Sequence, residues 1–298
     1  MTAPRKFPVV TALCLLALTS VATAGPAHFT TINYPGAVST FAYGINPAGD
    51  IVGGYVDSSK HEHGFVLSAG SFTSFDWPGS TWTEGWGINP QGDIVGQYGR
   101  FENGFNTVHG FLLRDGTFYP IDVPDQPNTM PVKISPEGTI VGCYHVGTPG
   151  GATILSTMHG WVRTADGFVS DPTAGTMHNG INPSGDIVGN LADPTTGAFL
   201  QSYIISNGVT SWFTVPGSVM TRAWDISPSG DVVGVYRDSA QHFHGFLLRD
   251  GTLTGFDVAL PGVTQTRAFG TNAAGDIVGY YGDATGLHGF VLTKRGGE

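Results

Sequence analysis

INPSGDIVG (181–189) recurs through the chain as INPAGDIVG (45–53), INPQGDIVG (88–96), ISPEGTIVG (134–142), ISPSGDVVG (226–234) and TNAAGDIVG (271–279). Two readings compete for it. Asn, Ser and Asp around a glycine suit a loop that grips a metal ion, whereas Pro and Gly two apart suit a tight turn that feeds a strand. A metal needs several oxygen ligands converging on one point, and each copy supplies at most one Asp plus an Asn or Ser. In the turn reading Pro fixes φ at the first corner and Gly accepts a left-handed position. The following Asp then bonds backbone N–H groups at the strand start. The turn is the better reading, so the information lies in the recurrence.

Asp50, Asp93, Thr139, Asp186, Asp231 and Asp276 mark the copies, at steps of 43 to 47 residues. A second marker keeps pace: HGFVL (63–67), HGFLL (109–113), HGWVR (159–163), HGFLL (244–248) and HGFVL (288–292), with QSYII (201–205) in the fourth copy. Each unit holds four strand-like runs; in the fifth they are TSWFTV, TRAWDIS, DVVGVY and HGFLL. Gly, Pro, Asn or Asp bounds every run, and none has helical period. Four short strands every ~45 residues is the length signature of a propeller blade. The expectation is an all-β, six-bladed β-propeller with four antiparallel strands per blade, occupying 25–298 as one domain.

Turn chemistry fixes the blade boundaries. RDGTF (114–118), SNGVT (206–210) and RDGTL (249–253) are two-residue hairpin turns, because Asp-Gly and Asn-Gly tolerate positive φ at both corners. Those connections therefore lie inside blades, and the looser Pro-Gly segments, such as DWPGSTWTEG (76–85), cross between them. The TRAWDIS-type run becomes the innermost strand. FTTINY (29–34) then has no blade of its own and is expected to complete the last blade, removing an exposed edge.

Composition narrows the function classes. Residues 1–24 read as a signal peptide: Arg5 and Lys6, an apolar run VVTALCLLALTSVATA, and a small-x-small site cleaved near Ala24. A secreted protein, periplasmic or extracellular, is expected, without membrane insertion, since no later run approaches ~20 apolar residues. One cysteine, Cys143, remains, so no internal disulfide forms. The net charge of −10, with no basic stripe, argues against nucleic acid. Glycine is about twice its usual share and charge about half, the profile of short strands and tight turns. HExxH, CxxC, GxSxG and P-loop patterns are missing, and no cofactor is expected.

The units resemble the extracellular repeat proteins of the HAF family, which pair a G-I-N-x-x-G-x-V-V-G segment with a His-Ala-Phe strand. Gly44-Ile45-Asn46, Gly49, Val52-Gly53 and His63-Gly64-Phe65 carry the likeness, which extends over all six units. Gly replaces Ala in the His-Ala-Phe element, and Gln201 replaces His in the fourth copy. The resemblance implies a secreted β-propeller and no particular reaction.

Whatever every copy shares is most simply scaffold. The recurrent His of HGF is read as orienting a loop within each blade. KHEHGF (60–65) and QHFHGF (241–246) add a second imidazole at metal-ligand spacing. Blades one and five are not neighbours, however, and half of each pair belongs to the repeat, so no metal is expected.

Function is sought where copies differ along the inner strand T-x-A-x-G-I-N. Phe41, Glu84, Met130, Met177, Arg222 and Arg267 occupy its second position, and Tyr43, Trp86, Val132, Asn179, Trp224 and Phe269 its fourth. His178 replaces Ala or Gly at the third, and Lys133 and Asp225 replace Gly at the fifth. Ligand sites favour concave mouths. Arg222 and Arg267, on adjacent blades, suit one anion such as a carboxylate.

The expected ligand-binding set is Arg222, Arg267, Glu84, Trp86, Trp224, Lys133 and Asp225 in a monomer's central funnel. The bland alternative is that the aromatics fill space between blades and the arginines pair with Glu84, Asp225 or solvent. Cys143 and His145, near the base of the long loop in 142–161, suggest a nucleophile, but a buried structural thiol is the stronger reading.

Three functions follow. The first is a binding or interaction module for a carbohydrate or small anion. The second is a polysaccharide lyase or hydrolase with His178 or Tyr43 moving protons. The third is a surface protein without a ligand. Convergence of Glu84, His178, Arg222 and Arg267 in one pocket would favour the enzyme.

Overall fold

The computed structural model describes residues 28–102, 104–126, 128–145, 158–193 and 196–293, with the side chain of residue 200 excepted. The expected signal peptide (1–24) and residues 146–157 of the long third-unit loop lie outside the described residues.

Strand β1 (His28–Ile32) precedes the blades. Blade 1 is β2 (Ser39–Ile45), β3 (Ile51–Val56), β4 (Glu62–Ser68) and β5 (Ser71–Phe75). Blade 2 is β6 (Trp82–Ile88), β7 (Ile94–Glu102), β8 (Phe105–Arg114) and β9 (Thr117–Ile121). Blade 3 is β10 (Asn128–Ile134), β11 (Ile140–His145), β12 (Met158–Thr164) and β13 (Gly167–Ser170). Blade 4 is β14 (Thr176–Ile181), β15 (Ile187–Ala192), β16 (Phe199–Ser206) and β17 (Val209–Phe213). Blade 5 is β18 (Met220–Ile226), β19 (Val232–Arg237), β20 (Phe243–Arg249) and β21 (Thr252–Phe256). Blade 6 has β22 (Gln265–Thr271), β23 (Ile277–Asp283) and β24 (Gly286–Thr293).

Each blade is an antiparallel meander, and together they make an all-β, six-bladed propeller. Blades 2 and 3 also touch at one parallel bridge, Asn128 to Val108, where Asn128 Oδ1 accepts from the Val108 N–H at 3.0 Å. β1 fills the vacant outer place of blade 6, pairing antiparallel with β24 from His28↔Thr293 to Ile32↔Gly289. The N-terminal strand therefore closes the ring, as the sequence implied.

The recurrent motif is a turn. Asn46 Oδ1 accepts from the Asp50 N–H, and Asn46 Nδ2 donates to Asp50 Oδ2, both at 2.9 Å. The pairs Asn89/Asp93, Asn182/Asp186 and Asn272/Asp276 repeat this clamp. Gly185, at φ +81°, takes the left-handed corner as expected. Asp93 and Asp231 are also held by Arg114 and Arg249, so these carboxylates serve the scaffold.

Every inner strand carries a β-bulge between its third and fifth positions, as between Ala42 and Gly44. The fourth residue is the extra one, so the bulge re-aims it towards the propeller axis. The motif's last glycine lies against this bulge. On Gly234, a Cβ would collide with the Arg222 carbonyl oxygen and the Phe246 ring, so no larger residue fits. The opening Thr of five inner strands caps the loop before it: Thr83 Oγ1 accepts from the Trp77 N–H, and Thr221 Oγ1 from the Val215 N–H, whereas Thr176 Oγ1 accepts from the Gly160 N–H.

Burial supplies the rest. Phe65, Phe111, Trp161, Phe246 and Phe290, the aromatics of the HGF-type strands, are fully buried between blades. At about 25 cal/mol per Å² of apolar area, each such ring contributes on the order of 2–3 kcal/mol. The preceding histidines do orient loops. His63 stacks on Tyr55 and bonds Asp76 at 2.9 Å, and His244 stacks on Tyr236 and bonds Asp257 at 2.8 Å.

Candidate mouth at Glu84, Arg222 and Arg267

The bulged fourth-position residues meet on the axis. Tyr43 stacks on Trp86 at 4.2 Å between ring centroids, Trp224 packs on Phe269 at 4.9 Å, and Tyr43 meets Phe269 edge-on at 5.3 Å. Trp86 and Trp224 belong to blades 2 and 5, opposite each other in the ring, yet their rings lie 5.5 Å apart. The aromatics therefore form a plug across the axis. The single funnel of the sequence reading is two mouths separated by this plug.

One mouth is ringed by the Asn-Pro turns, with Pro47, Pro90, Pro136, Pro183 and Pro228 around a pit of about 70 Å³. Lys133 and Asp225 form its floor and are spent on each other. Lys133 Nζ lies 3.2 Å from Asp225 Oδ2 and donates to the Tyr43 carbonyl at 2.8 Å, tying blades 1, 3 and 5 together. Asp225 also accepts from the N–H groups of Thr271 and Ile226 at 3.0 Å each. With both charges buried and compensated, this mouth offers little to a ligand.

The other mouth holds the second-position residues. Going round the ring they are Phe41, Glu84, Met130, Met177, Arg222 and Arg267, so Glu84 and Arg222 stand on opposite blades above Trp86 and Trp224. An aromatic at the start of the third strand in blades 4 and 5 supports the next blade's second residue. Arg222 lies over Phe199 at 4.2 Å, and Arg267 over Phe243 at 3.7 Å. Arg222 also lies over Trp224 at 4.4 Å.

Neither arginine has a carboxylate within ion-pair distance among the described residues. Arg267 Nε donates to Gln265 Oε1 at 3.0 Å, and Arg222 Nη2 reaches only Met177 Sδ at 3.5 Å. Arg222 Nε is shut off from solvent without a hydrogen-bond partner. Burial, with repulsion from Arg267, pushes the Arg222 guanidinium down to about 10.

Glu84 accepts from the Tyr43 hydroxyl at 3.2 Å and from Trp86 Nε1 at 3.0 Å. Beside it is Glu62 of blade 1. Both side chains flank Gly54, where an added Cβ would lie 3.5 Å from each. Burial, then the charge of Glu84 and a hydrogen bond to it, pushes the Glu62 carboxyl up to about 9, so Glu62 is protonated at neutral pH. Burial raises the Tyr280 phenol, with Arg267 and Arg222 opposing the rise and Glu84 adding to it. Burial and Glu84 hold the Tyr43 phenol well above its ordinary value.

His178 does not join this group. It is buried between blades, where its Nδ1 meets the Tyr203 hydroxyl at 2.8 Å and its ring covers Gly160. Burial lowers it to about 4, leaving it neutral at ordinary pH. Its substitution for Ala or Gly was legible, but a third-position side chain faces the neighbouring blade and not the axis. Cys143 is fully buried, and burial pushes its thiol up to about 12, which keeps it from acting as a nucleophile.

Glu62, Tyr280 and Phe243 went unselected in the sequence. For Glu62 a signal existed: the residue before the HGF-type strand is Val108, Met158, Leu200, Phe243 or Leu287 in the other copies.

No family model matches the chain, and neither does any curated protein. Among solved structures, TolB from Acinetobacter baumannii aligns with a TM-score of 0.53 at 15% identity, over 84% of this chain and 65% of its own. The chain thus spans just under two thirds of that protein. A mutant Aleuria aurantia lectin in complex with Fucalpha1-6GlcNAc aligns at 0.53 and 11% identity, over 87% of this chain and 93% of the lectin. A mutant of AofleA from Arthrobotrys oligospora aligns at 0.53 and 13%, over 91% and 87%. At these identities the likeness is one of fold.

Proposed function

We propose that the protein is a binding propeller that takes an anionic carbohydrate at the mouth of Glu84, Arg222 and Arg267. One observation carries this reading. Two guanidinium groups from adjacent blades are fixed on aromatic faces with no carboxylate partner among the described residues, and Arg222 Nε is both shielded and unsatisfied. A shielded, uncompensated cation is costly, and a bound carboxylate would supply the missing charge and acceptors.

The carbohydrate component draws support from the apolar walls around the arginines, Phe41, Tyr280 and Phe243, which suit the C–H faces of a sugar ring. The likeness to propeller lectins, one of them solved with a fucosylated sugar, is compatible with it but carries the fold alone. The leader-like residues 1–24 are the ground for placing the ligand outside the cytoplasm. A catalytic reading needs His178 or Tyr43 at the mouth, and His178 lies between blades while Tyr43 lies buried beneath Glu84.

The test is a thermal-shift screen of acidic and neutral sugars on the parent and on Arg222→Ala and Arg267→Ala. Acidic sugars should raise the melting temperature of the parent, and each substitution should abolish the shift. A sugar whose effect survives both substitutions would remove the mouth from the proposal.

A further inference from the structure

The mouth also carries an acidic pair, Glu62 and Glu84, which meet at Gly54. Among the described residues, neither Glu62 nor Glu84 has a cation within ion-pair distance, although two arginines belong to the same mouth. Glu84 instead receives two neutral donors, the Tyr43 hydroxyl and Trp86 Nε1, and the carboxyl of Glu62. A fold that merely needed to neutralise itself would have paired these groups, as it pairs Lys133 with Asp225 at the other mouth.

The separation follows from the blades. Glu62 and Glu84 come from blades 1 and 2, and Arg222 and Arg267 from blades 5 and 6. Phe41 and Tyr280, 5.1 Å apart between ring centroids, stand between the two sets on one side. Met130 and Met177 separate them on the other. Beneath lies the Trp86–Trp224 contact, an apolar floor joining the blade that carries Glu84 to the blade that carries Arg222.

We infer that the ligand is dipolar: an amino-sugar acid whose carboxylate lies on Arg222 and Arg267 and whose ammonium lies on Glu62 and Glu84. This rests on the reading of the mouth as an anion-binding site and adds a cationic group to the ligand. Each charged group of such a ligand meets a complementary pair, and the sugar ring between them covers the tryptophan floor.

Binding changes the protonation of the carboxyl pair. Without the ligand Glu62 keeps its proton beside Glu84 at Gly54, and the ionisable groups facing them are Tyr43 on β2 and Tyr280 on β23, with Arg222 and Arg267 beyond. An ammonium replaces that proton, which leaves to solvent, and two carboxylates then face one cation. The ligand keeps all its atoms.

Isothermal calorimetry with two sugar acids that differ only at nitrogen tests this directly. Muramic acid has a free ammonium, and N-acetylmuramic acid has a neutral amide in its place. Muramic acid should bind about tenfold more tightly, releasing close to one proton at pH 7 when heats are compared in buffers of different ionisation enthalpy. Glu62→Gln and Glu84→Gln should erase the preference and the proton release while leaving N-acetylmuramic acid bound.

Equal affinity for the two acids, with loss of both in Arg222→Ala, overturns the dipolar ligand and leaves the anion site standing. Absence of binding by either acid, or binding indifferent to Arg222→Ala, overturns both. Circular dichroism of each variant confirms that a lost signal reports the site and not the fold.

Discussion

The two mouths of this propeller use charge in contrasting ways. At the Asn-Pro mouth, Lys133 and Asp225 are buried, 3.2 Å apart, and supplied with further hydrogen bonds, so the charges are consumed in joining blades. At the opposite mouth, Arg222 and Arg267 rest on rings, and Glu62 and Glu84 rest on each other and on neutral donors. Both arrangements arise from the same event, a charged residue entering a repeated inner strand. Whether the charge becomes structural or available is decided by where its strand position points and whether an opposite charge reaches it.

Substitution should separate these roles, most strongly at the ion pair. Lys133→Ala would strand a buried Asp225 carboxylate and should cost about 3–5 kcal/mol in urea unfolding. Arg222→Met should stay within about 1 kcal/mol of the parent, since the lost stacking is offset by relief of a poorly solvated cation. Comparable losses at the two sites would erase the contrast.

Next in size is Gly234→Ala, which drives a Cβ into the Arg222 carbonyl and the Phe246 ring and should cost about 2–3 kcal/mol. It should also weaken acidic-sugar binding, because the displaced carbonyl belongs to Arg222. Unchanged stability would mean that the bulge relaxes freely.

Glu62→Gln sharpens the comparison through pH. The folded carboxyl titrates near 9, well above its ordinary value of 4.5. The folded state thus holds a proton that the unfolded chain has lost, and stability declines as pH rises from about 4.5 to about 9. Gln removes that decline, so the variant's melting temperature should exceed the parent's at pH 8.5 and converge with it near pH 5. A gap independent of pH would show that Glu62 is not held protonated in the folded state.

The smallest effects belong to the loop-orienting histidines. For His63 and His244, burial depresses the pKa, but Asp76 and Asp257 respectively lead the partners that more than reverse it, leaving a net rise. For His109 the hydrogen bond to Asp122 is the largest cause of the rise. Their stabilisation is fully present below about pH 6.5 and fades as pH climbs through the raised values. His178 acts in the opposite sense: held neutral by burial, it withdraws stability as pH falls from about 6.5 towards 4. His244→Gln should lower the melting temperature by about 1 °C at pH 6 and by less at pH 8, the modest size reflecting partly exposed pairs.

Blade count, strand order and ring closure were legible in the sequence because they rest on recurrence and turn chemistry. Asp-Gly hairpins placed the blade boundaries, and the orphan run at 29–34 announced β1. The site was only partly legible. Departures from the repeat pointed to Glu84, Arg222 and Arg267, but the same rule selected Lys133, Asp225 and His178 with equal force. What separates them is strand position: the third faces the neighbouring blade, and the fifth, beyond the bulge, opens on the other mouth. No residue type encodes that geometry locally. Glu62 lies outside the inner strand, at the start of its blade's third strand, where no local pattern marks a side chain as facing the axis.

β1 has a consequence for how the molecule comes to exist. Five of the six blades are complete once a contiguous stretch of chain has been made, but the sixth brings together His28 and Thr293, which stand 265 residues apart. Joining such distant segments costs on the order of 5 kcal/mol of chain entropy before any pairing offsets it. Until the last strand has been synthesised, five finished blades form an open arc with a raw edge at each end. Closure is therefore the final event of assembly, and a few residues at the two chain ends act as the clasp that turns an arc into a ring.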